Sequence, residues 1–301
     1  MNAWHTQTAV TTGRGHLRRA LPCQDRTFTL EENGVTAMAL ADGAGSTRFG
    51  QEGAEIATRT VCRLLCQDFD RLSAAETPQE LRQALLGPIR QELLDRADEL
   101  AVQWGELACT LLAVAVQGDR YLLLHTGDGV IGYQRNGRLR VASVPRNGPF
   151  CNTTTFVTGR DALVTTRVIR GSAADLEGFV LMSDGCEACL YGKQQQKLAP
   201  LVEKLLLRTE LLHPRVSQEQ LEQLLEQVIA QKTQDDCSLA LLTRQGERFG
   251  CWDRMTQRQR AGVLGVTTEN RNRRRRQIAR YARTYGVRAQ EDPFEDFFAE
   301  P

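Results

Sequence analysis

The chain has 301 residues, of which 41% are hydrophobic, so it can bury the core of one large domain or two small ones. The formal net charge of +1 argues against a global electrostatic field that attracts nucleic acid or a membrane surface. No segment approaches the run of roughly 20 apolar residues that a membrane-spanning helix needs.

The N-terminus and the cysteines both favour a cytoplasmic location. Residues 1–21 contain no apolar run of the kind found in secretory signal peptides. The nine cysteines are irregularly spaced and most lie in apolar runs, which is typical of buried reduced thiols. The C-x-x-C spacing of Cys186 and Cys189 has no second pair beside it, so a zinc or redox role is the weaker interpretation.

The periodicity of apolar residues predicts the strands and helices. Two N-terminal strands are expected on either side of residues 24–25, and the other strands are predicted at 36–41, 110–116, 121–126, 130–134, 154–158, 179–182 and 238–243. Helices are predicted at 50–69, at 78–104 with a break near Gly87-Pro88, at 198–207 and at 218–231.

The order of these elements predicts the fold class. Gly118-Asp119 and Asn136-Gly137 each predict a hairpin, because Asn-Gly in particular supplies the positive φ of a tight turn. Strands come first, followed by two helices, a strand meander, two more helices and a last strand. This order predicts an α+β fold with antiparallel sheets, in which helices bury the outer faces of two stacked sheets.

The composition changes near residue 250, which predicts a domain at 1–250 and a tail at 251–301. Residues 271–288 contain eight arginines, and residues 291–300 contain five acidic residues. The tail has three interpretations: a basic helix that binds RNA or phospholipid, a segment that folds back over the rest, or a disordered or partner-docking region. We favour the last and therefore do not expect nucleic acid as a partner.

Aspartates stand where the predicted strands end or begin. Asp42, Asp128 and Asp184 each follow an apolar strand and precede a glycine, whereas Asp235 precedes the last strand and Asp25 lies between two N-terminal strands. A single Asp-Gly after a strand is usually only a turn. Three such pairs in addition to Asp235-Asp236 instead indicate carboxylates held rigidly at the rim of a sheet.

The chemistry of these donors indicates the kind of site. We expect Asp25, Asp42, Asp184 and Asp235 to converge into an oxygen-rich cage, which suits hard cations such as Mg²⁺ or Mn²⁺. Zinc prefers histidine and cysteine, and no two of the four histidines have the spacing of metal ligands.

Taken in order, these blocks resemble the metal-dependent protein phosphatases of type 2C, over about residues 5–245. The Cys23-Gln24-Asp25 block is most similar to a compact bacterial branch of that family. The blocks are Gly15-His16, Pro22-Cys23-Gln24-Asp25, Ala41-Asp42-Gly43-Ala44-Gly45-Ser46, Gly127-Asp128-Gly129, Ser183-Asp184-Gly185 and Asp235-Asp236-Cys237-Ser238.

The resemblance implies an αββα sandwich that binds two Mn²⁺ or Mg²⁺ ions at one end. Asp42 would bridge both ions, the Gly43 carbonyl would bind the first, and Asp184 and Asp235 would hold the second. Asp25 would act mainly through a metal-bound water.

The implied reaction is the hydrolysis of phosphoserine and phosphothreonine on proteins by a water that the two metals activate. The expected partners are phosphorylated signalling proteins and a cognate Ser/Thr kinase that the phosphatase opposes. No membrane partner is expected.

The sequence departs from the family pattern at the groups that assist the metals. Ala44 stands where a histidine is frequent, so either His16 or water would protonate the leaving group, and His16 is otherwise a loop histidine that hydrogen-bonds to its surroundings. Arg18 or Arg19 would grip the phosphate, unless that loop is simply solvated. Asp128 is a candidate ligand for a third metal, since Ala188 replaces the usual aspartate and Glu187 precedes it.

A second class of function is a pseudophosphatase, in which the same sandwich serves as a binding or scaffold module. All four metal-site aspartates are present, which favours an active enzyme.

Overall fold

The computed structural model of the protein describes residues 4–144, 154–245, 256–257 and 260–261. The chain divides into two compact units, Met1–Cys251 and Trp252–Pro301. Nearly all residues of the second unit lie outside the described ranges, so the interpretations of the Arg-rich and acidic segments stay predictions.

Two five-stranded antiparallel sheets form the first unit. One has the strand order β1-β12-β9-β6-β7, the other has the order β2-β3-β4-β5-β8, and β10 and β11 form a separate short hairpin. In chain order the strands are β1 (Trp4–Thr11), β2 (Asp25–Glu32), β3 (Val35–Asp42), β4 (Leu111–Gln117), β5 (Arg120–Thr126), β6 (Val130–Arg135), β7 (Arg138–Ser143), β8 (Arg167–Ser172), β9 (Leu176–Met182), β10 (Tyr191–Gly192), β11 (Lys197–Leu198) and β12 (Cys237–Arg244).

Helices lie on the outer faces of both sheets. Helices α2 and α3 share a buried core with the second sheet, while α6 and α7 pack on β12 and β1 of the first. The helices are α1 (Arg14–Arg19), α2 (Gly50–Ser73), α3 (Pro78–Glu99), α4 (Ala162–Thr165), α5 (Asp184–Leu190), α6 (Pro200–Leu211) and α7 (Pro214–Leu224). The predicted αββα sandwich is confirmed.

Strand β3 shows how the sequence fixes the layers. Ala37 and Ala39 face the helices, whereas Met38 and Leu40 fill the space between the sheets. Side chains alternate between the two faces of a strand, so a fully apolar run is what a strand covered on both sides requires. The small alanines let the helices approach closely, and the larger residues fill the inter-sheet core.

The two predicted hairpins are confirmed. Gln117 pairs with Arg120 across the β4–β5 turn, and Arg135 pairs with Arg138 across the β6–β7 turn. Asn136 and Gly137 have φ values of 51° and 68°, as a primed turn requires.

Two of the predictions about the elements are wrong, one of a strand and one of a break in a helix. Residues 154–158 form no strand; this segment crosses the end of the second sheet, where Val157 N donates to the Cys109 carbonyl and Arg90 donates to the carbonyls of Val157 and Gly159. The predicted break at Gly87-Pro88 is also absent, because α3 continues through Pro88 and ends at Glu99. Buried leucines on both sides of the proline hold that helix against α2.

Strand β8 was not predicted from the sequence, and β7 was predicted only through the hairpin at Asn136-Gly137. Both are the last strands of their sheets and carry arginines among their apolar residues. Within the described ranges, no helix combines the length and the hydrophobicity that crossing a bilayer would take.

Candidate active site

Asp25 and Asp42 begin and end neighbouring strands at one rim of the second sheet. Their Cα atoms are partners in the β2–β3 register, so the two side chains lie side by side. Asp25 is 1% exposed, and its Oδ2 accepts a 2.6 Å hydrogen bond from the Ser238 hydroxyl. Because Ser238 belongs to β12, this bond joins the rims of the two sheets.

The backbone around Asp42 is held from both sides. Asp42 N donates to Thr110 Oγ1 at 2.9 Å, and the Asp42 carbonyl accepts from Thr110 N at 2.8 Å. A Cβ atom at Gly43 would come within 2.3 Å of the Gly50 carbonyl carbon, where α2 begins. Glycine is therefore required at position 43, because the first turn of the helix packs against its backbone.

Asp184 and Asp235 approach the same rim from the first sheet. Ser183 N donates to the Ser238 carbonyl at 3.1 Å, and Ser238 N donates to Ser183 Oγ at 3.0 Å. A Cβ atom at Gly185 would lie 1.9 Å from the Asp236 carbonyl oxygen, so the start of α5 and the start of β12 are in direct backbone contact. We call Asp25, Asp42, Asp184 and Asp235 the acidic centre.

The electrostatics show that the members of the acidic centre lie close together. Burial raises the pKa of Asp42 well above its usual value, and the negative charges of Asp25, Asp184 and Asp235 raise it further. Burial also raises the pKa of Asp25 to about 6, although the Ser238 hydroxyl lowers it in part. The pKa of Asp184 is raised to about 7, by burial first and then by Asp128, Asp235 and Asp25.

The acidic centre fits a hard divalent cation. Asp184 Oδ1 is buried and has no hydrogen-bond partner among the described residues. Carboxylates that raise one another's pKa are stabilised when a cation lies among them. Carboxylate oxygens together with a backbone carbonyl are the donors that Mg²⁺ and Mn²⁺ prefer.

Within residues 4–144 and 154–245, no three carboxylate, imidazole or thiol groups form a ready-made set of metal ligands. Mg²⁺ keeps several waters and needs only one or two carboxylates, so a site for it does not require three protein side chains in close contact.

Asp236 organises the neighbouring segment and was not singled out from the sequence. Its Oδ1 accepts from Gly13 N at 2.7 Å, and its Oδ2 accepts from Gln24 N at 2.6 Å and lies 2.8 Å from His16 Nδ1. Asp236 is 1% exposed and His16 is 5% exposed. The carboxylate thus fixes both ends of the segment that precedes Asp25.

His16 is held by this contact, which agrees with the interpretation of a loop histidine that bonds to its surroundings. Its Nδ1 is occupied by Asp236, so Nε2 is the atom left for a proton transfer. The role of His16 as a general acid stays a prediction.

Arg18 and Arg19 lie on α1, and both side chains are exposed to solvent. Arg19 Nε donates to the Gly15 carbonyl at 3.2 Å, within its own helix. The helix ends at Arg19, and its C-cap residue Ala20 has a φ of 53°. The structure therefore gives neither arginine a contact with the acidic centre, and their phosphate-binding role stays a prediction.

Asp128 lies beside the acidic centre, in the turn between β5 and β6. Its Oδ2 accepts a 2.5 Å hydrogen bond from the Thr154 hydroxyl. After burial, its charge has the largest effect on the raised pKa of Asp184. Its predicted role towards a third metal is not tested by these contacts.

Comparison with known proteins identifies the family to which this αββα sandwich, with its acidic rim, belongs. Residues 12–226 match the family model described as Protein phosphatase 2C, which is well over half of the chain. The chain therefore belongs to the protein phosphatase 2C family. The matched stretch includes Asp25, Asp42, Asp128 and Asp184 and ends before Asp235.

A curated relative and two solved structures illustrate the similarity. The Escherichia coli (strain K12) protein named Serine/threonine-protein phosphatase 3 is 30% identical over 170 residues, a match that spans 54% of this chain and 65% of that protein. A crystal structure of a bacterial serine phosphatase has a TM-score of 0.59 at 16% identity and covers 82% of this chain and 100% of its own. The serine/threonine phosphatase Stp1 from Staphylococcus aureus has a TM-score of 0.55 at 15% identity, with 80% and 95% covered. At these identities the two structures show a shared fold alone.

Proposed function

We propose that the protein is a metal-dependent phosphatase that hydrolyses phosphoserine and phosphothreonine on proteins. The observation that carries this proposal is the position of Asp42, at the end of a strand buried on both faces, where the charges of three other aspartates act on it. Family membership and the name of the Escherichia coli relative support the same reaction class.

The acidic centre provides the residues that would hold two Mn²⁺ or Mg²⁺ ions. Asp42 would bridge the ions, with the Gly43 carbonyl on the first and Asp184 and Asp235 on the second, and Asp25 would act through a water. When bound, divalent cations supply a hydroxide nucleophile at neutral pH and neutralise charge on the phosphoryl oxygens.

The protein's own side chains hold this arrangement in place. The Ser238 hydroxyl fixes one oxygen of Asp25 by a hydrogen bond across the rims of the two sheets. Rigid ligands need no rearrangement when charge develops in the transition state. His16, anchored through Nδ1 on Asp236, would pass a proton from Nε2 to the leaving serine or threonine oxygen, with solvent water as the alternative donor.

The surroundings of the acidic centre suit a protein substrate. Asp235 is exposed, and so are Gly45, Ser46 and Arg48 in the loop that follows Asp42. A phosphorylated side chain on a loop or a tail of another protein therefore has access to the rim. We infer that such proteins are the substrates, in the cytoplasm, and that a Ser/Thr kinase supplies the phosphate that this enzyme removes.

The test is the release of phosphate from a phosphothreonine peptide in the presence of Mn²⁺. Asp42→Asn keeps the shape of the side chain and removes its charge, and we expect the rate to fall on the order of 10²–10³-fold. Asp175→Asn is the matched control, because Asp175 is exposed in the loop before β9. If the wild-type protein binds the phosphopeptide without turnover and without a need for metal, the pseudophosphatase interpretation replaces this proposal.

A further inference from the structure

A salt bridge between Lys193 and Glu187 lies beside the acidic centre. Lys193 Nζ lies 2.5 Å from Glu187 Oε2, and the side chains of Lys193 and Glu187 are 71% and 6% exposed. Glu187 lies on α5, one turn after Asp184, whereas Lys193 is the first residue of the turn between β10 and β11. An exposed amine is thus paired with a buried carboxylate beside the proposed metal ligands.

The charge of Lys193 reaches beyond Glu187. The hydrogen bond with Glu187 is the main cause of the raised pKa of Lys193, and the negative charges of Glu187, Asp184 and Asp128 add to it. The charge of Asp128 also raises the pKa of Glu187, after the larger effect of burial. Asp128, Glu187 and Lys193 therefore form one electrostatic group, which we call the outer edge.

A short anchored hairpin positions the amine. Tyr191 pairs with Leu198, and both are buried, while Ala199 N donates to the Leu190 carbonyl at 2.8 Å. The exposed residues of this hairpin are confined to 193–197. The paired residues of the hairpin are thus fixed to the body of the domain. The flexible side chain of Lys193 spans the remaining distance to Glu187.

We propose that the Lys193 ammonium is a built-in cation that neutralises the outer edge and keeps a further divalent metal from binding to Asp128 and Glu187. The inference rests on the proposed function, since it concerns how many metal ions the same site takes. Lys193 is in this sense a positioning residue, which acts through the carboxylates and not on the substrate.

The physical reason is the burial of Glu187. A buried carboxylate without a compensating charge is strongly unfavourable, so it either pairs with a cation or takes up a proton. Glu187 Oε1 is buried and has no hydrogen-bond partner among the described residues. Without the amine, Glu187 and Asp128 would present carboxylate oxygens to solvent cations, and hard divalent ions bind such oxygens.

The experiment counts Mn²⁺ ions per chain, from the electron paramagnetic resonance signal of free Mn²⁺ during titration of the full-length protein. We expect Lys193→Met to bind about one Mn²⁺ more than the wild-type protein. Lys193→Arg keeps the charge and should bind the wild-type number. Lys197→Met is the matched control, because Lys197 is an exposed lysine of the same hairpin.

A second variant identifies where the additional ion binds. In the double variant Lys193→Met with Asp128→Asn, the Mn²⁺ count should return to the wild-type number. Circular dichroism of each variant shows whether it is folded, because replacing Lys193 leaves the buried Glu187 carboxylate without its partner.

Three outcomes would overturn the inference, and only one of them concerns the proposed function. An unchanged Mn²⁺ count in a folded Lys193→Met variant would contradict the inference alone. The same count with a raised KM for the phosphopeptide would assign Lys193 to substrate binding instead. A wild-type protein that binds no Mn²⁺ would contradict the proposed function, and this inference with it.

Discussion

In the acidic centre, the charges of neighbouring carboxylates raise the pKa of Asp42 and of Asp184, whereas the nearby Asp236 carboxylate lies among three hydrogen-bond donors. The two environments are built from the same residue type and are adjacent in the chain at Asp235-Asp236. Asp235 is exposed on the side of the acidic centre, and Asp236 is buried on the side of the segment 13–24. One aspartate can thus be part of a site that attracts cations, while the next one anchors a neighbouring segment of the chain through hydrogen bonds.

The difference has an energetic consequence. Removing a carboxylate that is repelled by its neighbours relieves the folded state, whereas removing one that satisfies buried donors leaves those donors without a partner. Substitutions in the two environments should therefore change stability in opposite directions, and the first two of the predictions below test that contrast.

The largest effect is expected at Asp236. Asp236→Asn leaves one acceptor oxygen in place of two and removes the charge that His16 Nδ1 contacts, so part of the set of Gly13 N, Gln24 N and His16 loses its partner. We expect the free energy of unfolding to fall by about 2–4 kcal/mol, as for other buried, charge-assisted networks. Urea unfolding in the presence of EDTA measures this change.

Asp175→Asn is the control for that measurement, because its exposed side chain should change the free energy of unfolding by less than about 0.5 kcal/mol. If Asp236→Asn is as stable as this control, Asp236 does not hold the segment 13–24, and the contrast between the two environments is lost.

The next prediction concerns the pH dependence of the metal-free protein. Burial and neighbouring charges raise the pKa of Asp25 from 3.8 to about 6 and that of Asp184 from 3.8 to about 7. Between the unfolded pKa of 3.8 and the folded pKa values of about 6 and about 7, the folded state holds more protons than the unfolded state. The free energy of unfolding therefore falls as the pH rises through this range. Below the unfolded pKa of 3.8, both states are protonated and this contribution to the pH dependence disappears.

Thermal unfolding in EDTA at a series of pH values between 4 and 7.5 tests this sign. Asp42→Asn should be more stable than the wild-type protein at the upper end of the range and should show a shallower decline, because one negative charge is gone. Saturating Mn²⁺ should raise the wild-type Tm most at neutral pH. A Tm in EDTA that stays level or increases from pH 4 to 7.5 would mean that the carboxylates are not in mutual repulsion.

The acidic centre was predictable from the sequence because its signals are local. An apolar run followed by Asp-Gly places a carboxylate at the end of a strand, and Asp42 and Asp184 lie where this pattern predicts them. The layers of the sandwich follow from fully apolar strands such as β3, which need cover on both faces.

The features that the sequence did not reveal depend on distant contacts. His16 and Asp236 are 220 residues apart, and the choice between Asp235 and Asp236 as the buried acid depends on which of these two side chains, just before β12, faces the segment 13–24. Edge strands such as β7 and β8 mix arginines with apolar residues and are covered less completely, so their pattern resembles that of a loop.

The smallest effect is expected from the arginines of α1. Because Arg18 and Arg19 are exposed and Arg19 bonds to its own helix, the double variant Arg18→Ala with Arg19→Ala should change KM for a phosphothreonine peptide by less than about twofold. Steady-state kinetics with Mn²⁺ at two salt concentrations measures the change, and Arg138→Ala, an exposed arginine in the β6–β7 hairpin, is the control. A KM that rises about tenfold or more, with kcat retained, would instead assign a phosphate contact to these arginines, because a guanidinium pairs strongly with phosphate. In that case the segment held by Asp236 would bind the substrate as well as support the fold. The two environments would then differ in what they bind, because the acidic centre would bind cations and the segment beside it would bind the anionic substrate.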